Sequence, residues 1–317
     1  MSKISFIIPC FGNEKNIPVT GRAVIANEKR FPRGTRFEYI FIDDGSTDRT
    51  YSELTKLYKT YPKKVIVVKL SRNFGSNNAT LAGLSVATGD CLVILAADLQ
   101  DPPELVPAMF AYWQKGVKLV LANRTSRQDG WFTGALSHLF HLLVRYSMFP
   151  HAPRGGFNLS LFDHRIQKDI LALKEKNFFL PYIFLWLGYD YVTIPYARRK
   201  RLIGSSQWTI GKRITSFIDA FVSFTFMPIR AISICGILLS IFALIYAGFV
   251  IYARLTSHIP VAGWTSLVII LLFVSSFQMI ALGVIGEYLW RTLDAARGRP
   301  PYIVEKIIHQ RYTRNKP

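Results

Sequence analysis

Short apolar runs rich in β-branched residues recur along the first third of the chain, at residues 4–8, 37–42, 65–70, 91–97 and 117–122. Each has the length and composition of a buried strand. The intervening segments, at about 17–29 and 77–87, suit helices, and Ser46, Thr47 or Asp48 can cap a further helix after the second run. Strands alternating with helices at this spacing predict an α/β domain on a parallel sheet. Further on the rhythm changes. Residues 131–149 are apolar and aromatic, with His138, His141 and Arg145 interspersed, and suit either an interfacial or a core-facing helix. Residues 177–191 are aromatic but broken by Pro181 and Gly188, too short to span a bilayer. Residues 210–229 mix aromatics with Lys212, Arg213 and Asp219, the pattern of an interfacial amphipathic helix. Two stretches, 231–253 and 264–286, carry no charge at all. At about 1.5 Å per residue, each crosses a hydrocarbon core of roughly 30 Å.

The pattern divides the chain into an α/β domain over 1–209, an interfacial helix over 210–229, a transmembrane hairpin over 230–290 and a tail over 291–317. Charge then orients it. The formal net charge is +19, in a chain that is 50% hydrophobic. Basic residues crowd both flanks of the hairpin: Arg198 to Arg201, Lys212, Arg213 and Arg230 before it, and Arg291, Arg297, Arg299, Lys306, Arg311, Arg314 and Lys316 after it. The connecting turn, 254–263, holds one. The positive-inside rule predicts a multi-pass protein of the cell (plasma or inner) membrane, with the α/β domain and both termini cytoplasmic. This distribution accounts for much of the charge without nucleic acid as a partner. The spans contain no Asp, Glu, Lys, Arg or His, which argues against a transporter. Cys10, Cys91 and Cys235 have no metal-ligand spacing, and a reducing compartment fits them. Met1 is followed within a few residues by a strand rather than a signal-peptide pattern.

Four successive strand ends carry polar groups: Asn13 and Glu14, Asp43 and Asp44, Arg72 and Asn73, Asp98 and Asp101. Ligands bind open α/β sheets at that edge. Carboxylates there can accept from a base N–H and ribose hydroxyls, and Arg72 can meet a pyrophosphate as a planar fork. Asp98 follows the fourth apolar run, and Pro102 and Pro103 suit the first turn of a helix. A carboxylate so placed is a ligand for a hard divalent cation carrying phosphates, or, with Asp101, a cap for the helix. There is no G-x-x-x-x-G-K-[ST] and no G-x-G-x-x-G after the first strand, so a nucleotide would be held by carboxylates and a metal. His138 and His141 lack a nearby acidic or thiol partner and read as surface or satisfied histidines. The basic run 198–201, followed by Gly204-Ser205-Ser206-Gln207-Trp208, suits a solvated cluster, an anionic-lipid patch or a clamp for phosphate oxygens.

Asp43-Asp44-Gly45-Ser46, Ser71-Arg72-Asn73-Phe74-Gly75 and Asp98-Leu99-Gln100-Asp101-Pro102-Pro103-Glu104 together resemble family 2 glycosyltransferases of the GT-A, Rossmann-like fold. The nearest likeness is to the polyprenyl-phosphate glycosyltransferases, which include bactoprenol glucosyltransferases and dolichyl-phosphate mannose synthase. Gly286-Glu287-Tyr288-Leu289-Trp290 through Arg299-Pro300-Pro301-Tyr302-Ile303-Val304 is typical of the bacterial two-span members, so the resemblance covers nearly the whole chain. It implies inverting transfer of one sugar from a UDP-sugar to undecaprenyl or a similar polyprenyl phosphate, with Mg²⁺ or Mn²⁺, by a membrane-bound homo-oligomer, a tetramer in relatives. On that basis Pro9, Phe11, Asn13, Glu14, Asp43, Asp44 and Ser46 line the nucleoside pocket, and Arg72 approaches the pyrophosphate. Asp98, with Gln100, holds the metal. Arg198, Arg201, Ser206 and Trp208 meet the lipid phosphate, with Asp98, Arg72, Arg198 and Arg201 serving catalysis. The chain departs from the family pattern at Ala96 and Gly156, where many relatives have acids, and at Gln207, where they often have Lys. Those losses leave a rival expectation, a non-catalytic membrane protein that binds nucleotide-sugar; transfer to a different acceptor is a second.

Overall fold

The computed structural model describes residues 1–126, 145, 148–150, 152–153, 156–173, 179–199, 203, 225, 227–256 and 263–310. The chain forms two compact units, Met1–Ala220 with Pro300–Pro317, and Phe221–Arg299.

The first unit is built on β1 (Lys3–Cys10), β2 (Arg36–Asp43), β3 (Val65–Leu70), β4 (Cys91–Ile94), β5 (Leu119–Ser126), β6 (Ser160–Asp163), β7 (Tyr191–Ala197) and β8 (Val304–Ile308). Its helices are α1 (Ile17–Ala26), α2 (Thr50–Thr60), α3 (Ser76–Val86), α4 (Val106–Gln114), α5 (His164–Ala172) and α6 (Leu180–Trp186). The strands form one sheet in the order β7-β5-β6-β4-β1-β2-β3-β8. β1 pairs in parallel with both β2 and β4, and β2 with β3, because the intervening helical crossovers return the chain to the same end.

The expectation of a parallel sheet needs correction. β6 inserts antiparallel between β4 and β5, and β8 adds antiparallel to β3. The first five strands alternate with helices and run in one direction, since β5 is antiparallel to β6 just as β4 is, and β7 joins β5 in parallel. The fourth run also ends sooner than its apolar composition predicts. β4 stops at Ile94, the last residue its antiparallel partner reaches. Leu95 N–H still donates to Ile7 O at 3.0 Å before the chain turns away.

Central strands buried on both faces read as unbroken apolar runs. One face of the sheet, with Phe6, Ile8, Tyr39, Phe41, Val67 and Val93, packs with Ile17, Val24, Leu54, Met109 and Phe110 of α1, α2 and α4. The other receives α3, so closely that a Cβ on Gly83 would meet Ile7 and Ile42 side chains at 2.6 Å.

The second unit contains α7 (Met227–Thr256) and α8 (Trp264–Ala296). Each includes a segment long and apolar enough to cross a membrane, Met227–Phe249 and Ile269–Ala296. Their apolar side chains stand exposed, as Phe242, Leu244, Ile269 and Phe273 do. Hydrocarbon satisfies such a surface, and helices satisfy their own backbone within it. α8 continues helical to Ala296, with Arg291 paired to Glu287 at 2.9 Å, so the tail begins as helix and then contributes β8. Most of the expected interfacial helix at 210–229 lies outside the described residues.

Candidate active site

The parallel strands deliver the carboxyl ends of β1 to β4 to one edge, and the loops there are bonded to one another. After β1, Asn13 N–H donates to Thr50 Oγ1 at 2.7 Å, Gly12 N–H to Ser46 Oγ at 3.2 Å and Glu14 N–H to Asp48 Oδ2 at 3.2 Å. Glu14 in return accepts from Arg49 N–H at 3.1 Å, and Asn13 Oδ1 accepts from Phe11 N–H at 2.9 Å. The side chains of Glu14 and Ser46 therefore join the first loop to the second, while the Asn13 side chain folds the first loop on itself and its backbone N–H reaches Thr50. Pro9 lies in β1 opposite Ile42, one residue short of the edge.

The two aspartates ending β2 behave differently. Asp43 is fully buried, and its Oδ1 accepts from Ser46 N–H at 3.2 Å. Its Oδ2 is buried without a hydrogen-bond partner among the described residues. Burial pushes this carboxyl above its ordinary range, against the Ser46 hydrogen bonds. A buried carboxylate oxygen with no donor is an open position for a ligand N–H or O–H. Asp44 instead spends both oxygens on the next loop, accepting from Phe74 N–H at 2.7 Å and Gly75 N–H at 3.0 Å. Burial, with the charge of Asp43 adding, raises its carboxyl to about 6 despite those bonds and Arg72.

Gly45 makes this junction sterically possible. Its φ is +67°, and a Cβ there would stand 2.3 Å from the carbonyl carbon of Arg72. Arg72 itself is exposed, stacks its guanidinium 4.1 Å over the Phe74 ring and donates to Asn73 O at 3.2 Å. Stacking leaves most of a guanidinium's fork available to an anion.

Asp98 follows β4 in a tight turn. Leu99 has φ +53°, the one positive φ outside glycine among the described residues, and Asp98 Oδ1 accepts from Gln100 N–H at 3.2 Å. A branched residue held left-handed stores backbone strain at the point that sets Asp98 and Gln100 relative to each other. No three His, Cys, Asp or Glu side chains cluster as a metal site among the described residues. Asp101 is buried, and its Oδ1 is bonded to the Tyr196 hydroxyl. The Asp98 carboxylate and the Gln100 amide oxygen fit a hard cation that takes its other ligands from phosphates and water.

The end of β7 lies on this loop. Arg199 N–H donates to Gln100 O at 3.0 Å, and Arg199 Nη1 lies 3.3 Å from Glu104. Arg198, one-third exposed, has its Nε 3.8 Å from Asp101. Of the residues expected at the lipid phosphate, Arg198 is thus brought beside the Asp98 loop, while Arg201, Ser206 and Trp208 lie outside the described residues. Gly156 has φ +67° and accepts from Arg124 N–H at 3.2 Å. Sequence reasoning missed Arg124 and Tyr196. The signal for Arg124 was present, since it follows the apolar run of β5 as Arg72 follows that of β3.

The model of the family described as glycosyl transferase family 2 matches residues 5–171. Among curated relatives, a prophage bactoprenol glucosyl transferase homolog of Escherichia coli is 31% identical over 306 residues, spanning 96% of this chain and 99% of the relative. An undecaprenyl-phosphate 4-deoxy-4-formamido-L-arabinose transferase of Proteus mirabilis is 28% identical over 311 residues, spanning 97% and 94%. Among solved structures, glucosyl-3-phosphoglycerate synthase of Mycobacterium tuberculosis with Mn²⁺, UDP and phosphoglyceric acid matches with TM-score 0.47 and 19% identity, over 68% of this chain and 75% of that one. With that family match, near-full-length relatives and a mixed sheet presenting its acidic loops at one edge, this chain belongs to glycosyltransferase family 2 and is a glycosyltransferase of GT-A fold.

Proposed function

We propose that the protein transfers one sugar from a UDP-sugar to a polyprenyl phosphate, with undecaprenyl phosphate the first acceptor to test, at the cytoplasmic face of the membrane. The observation that carries this reading is the bond between Arg199 N–H and Gln100 O, which sets the basic end of β7 against the loop bearing Asp98. Donor-side carboxylates and acceptor-side cations are then neighbours. The names of the two relatives supply the acceptor class, and two helices long enough for a bilayer suit an acceptor that lives there.

In this reading Asp43 Oδ2 accepts from the base N–H of the nucleotide, while Asn13, Glu14 and Ser46 keep the rim in shape. Asp44 anchors the 73–75 backbone and so positions Arg72 for the diphosphate. Asp98 and Gln100 would hold Mg²⁺ or Mn²⁺, and that ion would supply charge neutralisation for the leaving diphosphate. An oxygen of the acceptor phosphate forms a bond to the anomeric carbon from the side opposite UDP. The bond from that carbon to the diphosphate breaks, its electron pair leaves on the diphosphate oxygen, and the configuration inverts. A phosphate monoester is already anionic at neutral pH, so no side chain need deprotonate it, and glycine at 156 is compatible with turnover. What the step requires from the chain is alignment and charge neutralisation, the part assigned to Arg72 and Arg198.

The test is transfer by the purified full-length protein to undecaprenyl phosphate, with Mg²⁺ or Mn²⁺ and a panel of UDP-sugars. Product from the parent, and its loss in Asp98→Ala, is the expected result. UDP-sugar binding without product from any donor would instead establish the non-catalytic reading that Ala96 and Gly156 raise.

A further inference from the structure

The loop 98–104 and the end of β7 are joined by side chains as well as backbone. Asp101 is fully buried, and its Oδ1 accepts from the Tyr196 hydroxyl. The same hydroxyl accepts from Arg124 Nε at 3.3 Å. Thr125 Oγ1 donates to Tyr196 O at 3.1 Å, and Arg198 Nε stands 3.8 Å from Asp101 Oδ1. One phenol therefore touches three segments that arrive from distant parts of the chain: the end of β5, the end of β7 and the loop after β4.

The charges of these residues do not cancel: Asp101 is one carboxylate, Arg198 lies 3.8 Å from it and Arg124 is bonded to the phenol that Asp101 holds, two guanidiniums in all. Asp101 Oδ2, Arg124 Nη2 and Arg198 Nε are all buried without a hydrogen-bond partner among the described residues. A cluster built only to hold the fold would be expected to spend those groups on each other, because unpaired buried polar atoms destabilise it. Here they are held close but short of full pairing, beside the loop that carries Asp98.

We propose that Tyr196 is a positioning residue for the transfer. Its hydroxyl, anchored on Asp101, fixes the end of β7 so that the partly exposed guanidinium of Arg198 is set for an anionic oxygen of the acceptor phosphate. The proposal rests on the acceptor class argued under Proposed function and assigns to Tyr196 and Asp101 a part no sequence motif gave them. Tyr196 touches neither substrate; it acts through Arg198.

The test compares wild type, Tyr196→Phe and Asp101→Asn, each as full-length protein in lipid nanodiscs. Phenylalanine keeps the buried ring and removes only the hydroxyl. Asparagine keeps an oxygen for the phenol and removes the charge facing Arg198. The expected result is a rise of at least about fivefold in KM for undecaprenyl phosphate in both variants, with UDP affinity by calorimetry changed less than about twofold. The double variant should be no worse than the worse single one, because both changes act through one unit. A merely structural role would weaken donor and acceptor together and track the loss of melting temperature. An acceptor KM within twofold of wild type in either folded variant overturns the proposal. Absence of turnover in wild type with every UDP-sugar would sink the proposed reaction alone. The brace is then read from undecaprenyl-phosphate binding, where a fivefold weaker Kd in Tyr196→Phe supports it. Equal binding, or none by wild type, overturns it.

Discussion

Gly45→Ala is the sharpest single perturbation of the donor side. The new methyl would lie 2.3 Å from Arg72 C and 2.6 Å from Asn73 N, both backbone atoms that cannot rotate away. Ordinary contact begins near 3.4 Å, so the two loops have to part by about 1 Å. Alanine at φ +67° adds about 1–2 kcal/mol of left-handed strain. If the loops stayed together, the overlap would cost far more than that. If they part, the bonds from Phe74 and Gly75 N–H to Asp44, at 2.7 and 3.0 Å, stretch beyond useful length. Charged hydrogen bonds of this kind contribute about 1.5–3 kcal/mol each. The total approaches about 4–8 kcal/mol, a large part of the roughly 5–15 kcal/mol that stabilises a domain, so the melting temperature falls. Parting of two surface loops is the cheaper route, so most of the fold survives and Arg72 moves. A misplacement of about 1 Å at a reacting group costs on the order of 100-fold in rate. The assay is kcat/KM for the UDP-sugar in the transfer reaction, alongside the melting temperature. The expected outcome is a loss of at least about 100-fold with a folded protein. A variant within threefold of wild type would refute the claim that this junction positions Arg72.

Asp43→Asn should weaken UDP binding by about 10- to 150-fold, the loss of one charge-assisted hydrogen bond, and calorimetry with UDP reads it. Asp44 supplies a pH signature. Its folded-state value of about 6 lies above the ordinary 3.8, so the stability it contributes is fully present below 3.8 and is lost as pH rises through about 6. The melting temperature of wild type relative to Asp44→Asn should therefore rise as pH falls from 7 to 5, and a flat or falling difference would contradict the assignment. Glu305→Ala removes the 2.7 Å ion pair to Lys69 between two half-exposed side chains, and thermal unfolding should shift by no more than about 1 kcal/mol.

What was legible in the sequence follows from how each element is stabilised. β1, β2 and β3 are buried on both faces, so their apolar runs mark them, and the polar residue that ends each run marks the sheet edge. The two spans are equally plain, because hydrocarbon imposes a length and forbids charge. β8 escaped notice because it is a short edge strand, with Glu305 and Lys306 in its middle and its partner β3 far back in the chain. The cut-off of β4 at Ile94 was likewise invisible, since it depends on how far β6 reaches and on the left-handed turn at Leu99. The acidic loops were identified, but not which way each carboxylate would be spent. Asp43 and Asp44 are adjacent and identical in type, yet one keeps an open oxygen and the other anchors a loop that sequence cannot bring near. Asp101 and Tyr196 lie 95 positions apart, and no local pattern links them.

β8 also sets an order on biosynthesis. The outer edge of β3 has no partner until residues 304–308 exist, roughly 230 positions after β3 leaves the ribosome. At about 5–20 residues per second, that delay is on the order of ten seconds or more. During it both apolar helices emerge, and the nascent catalytic sheet carries an open edge of the kind that invites mispairing. The backbone bond from Ser71 N–H to Ile303 O, next to Arg72, is made only at the end. A chain that stalls before that point retains the acidic loops but lacks the strand that closes their sheet, so the finished donor site reports that the helices have already been made.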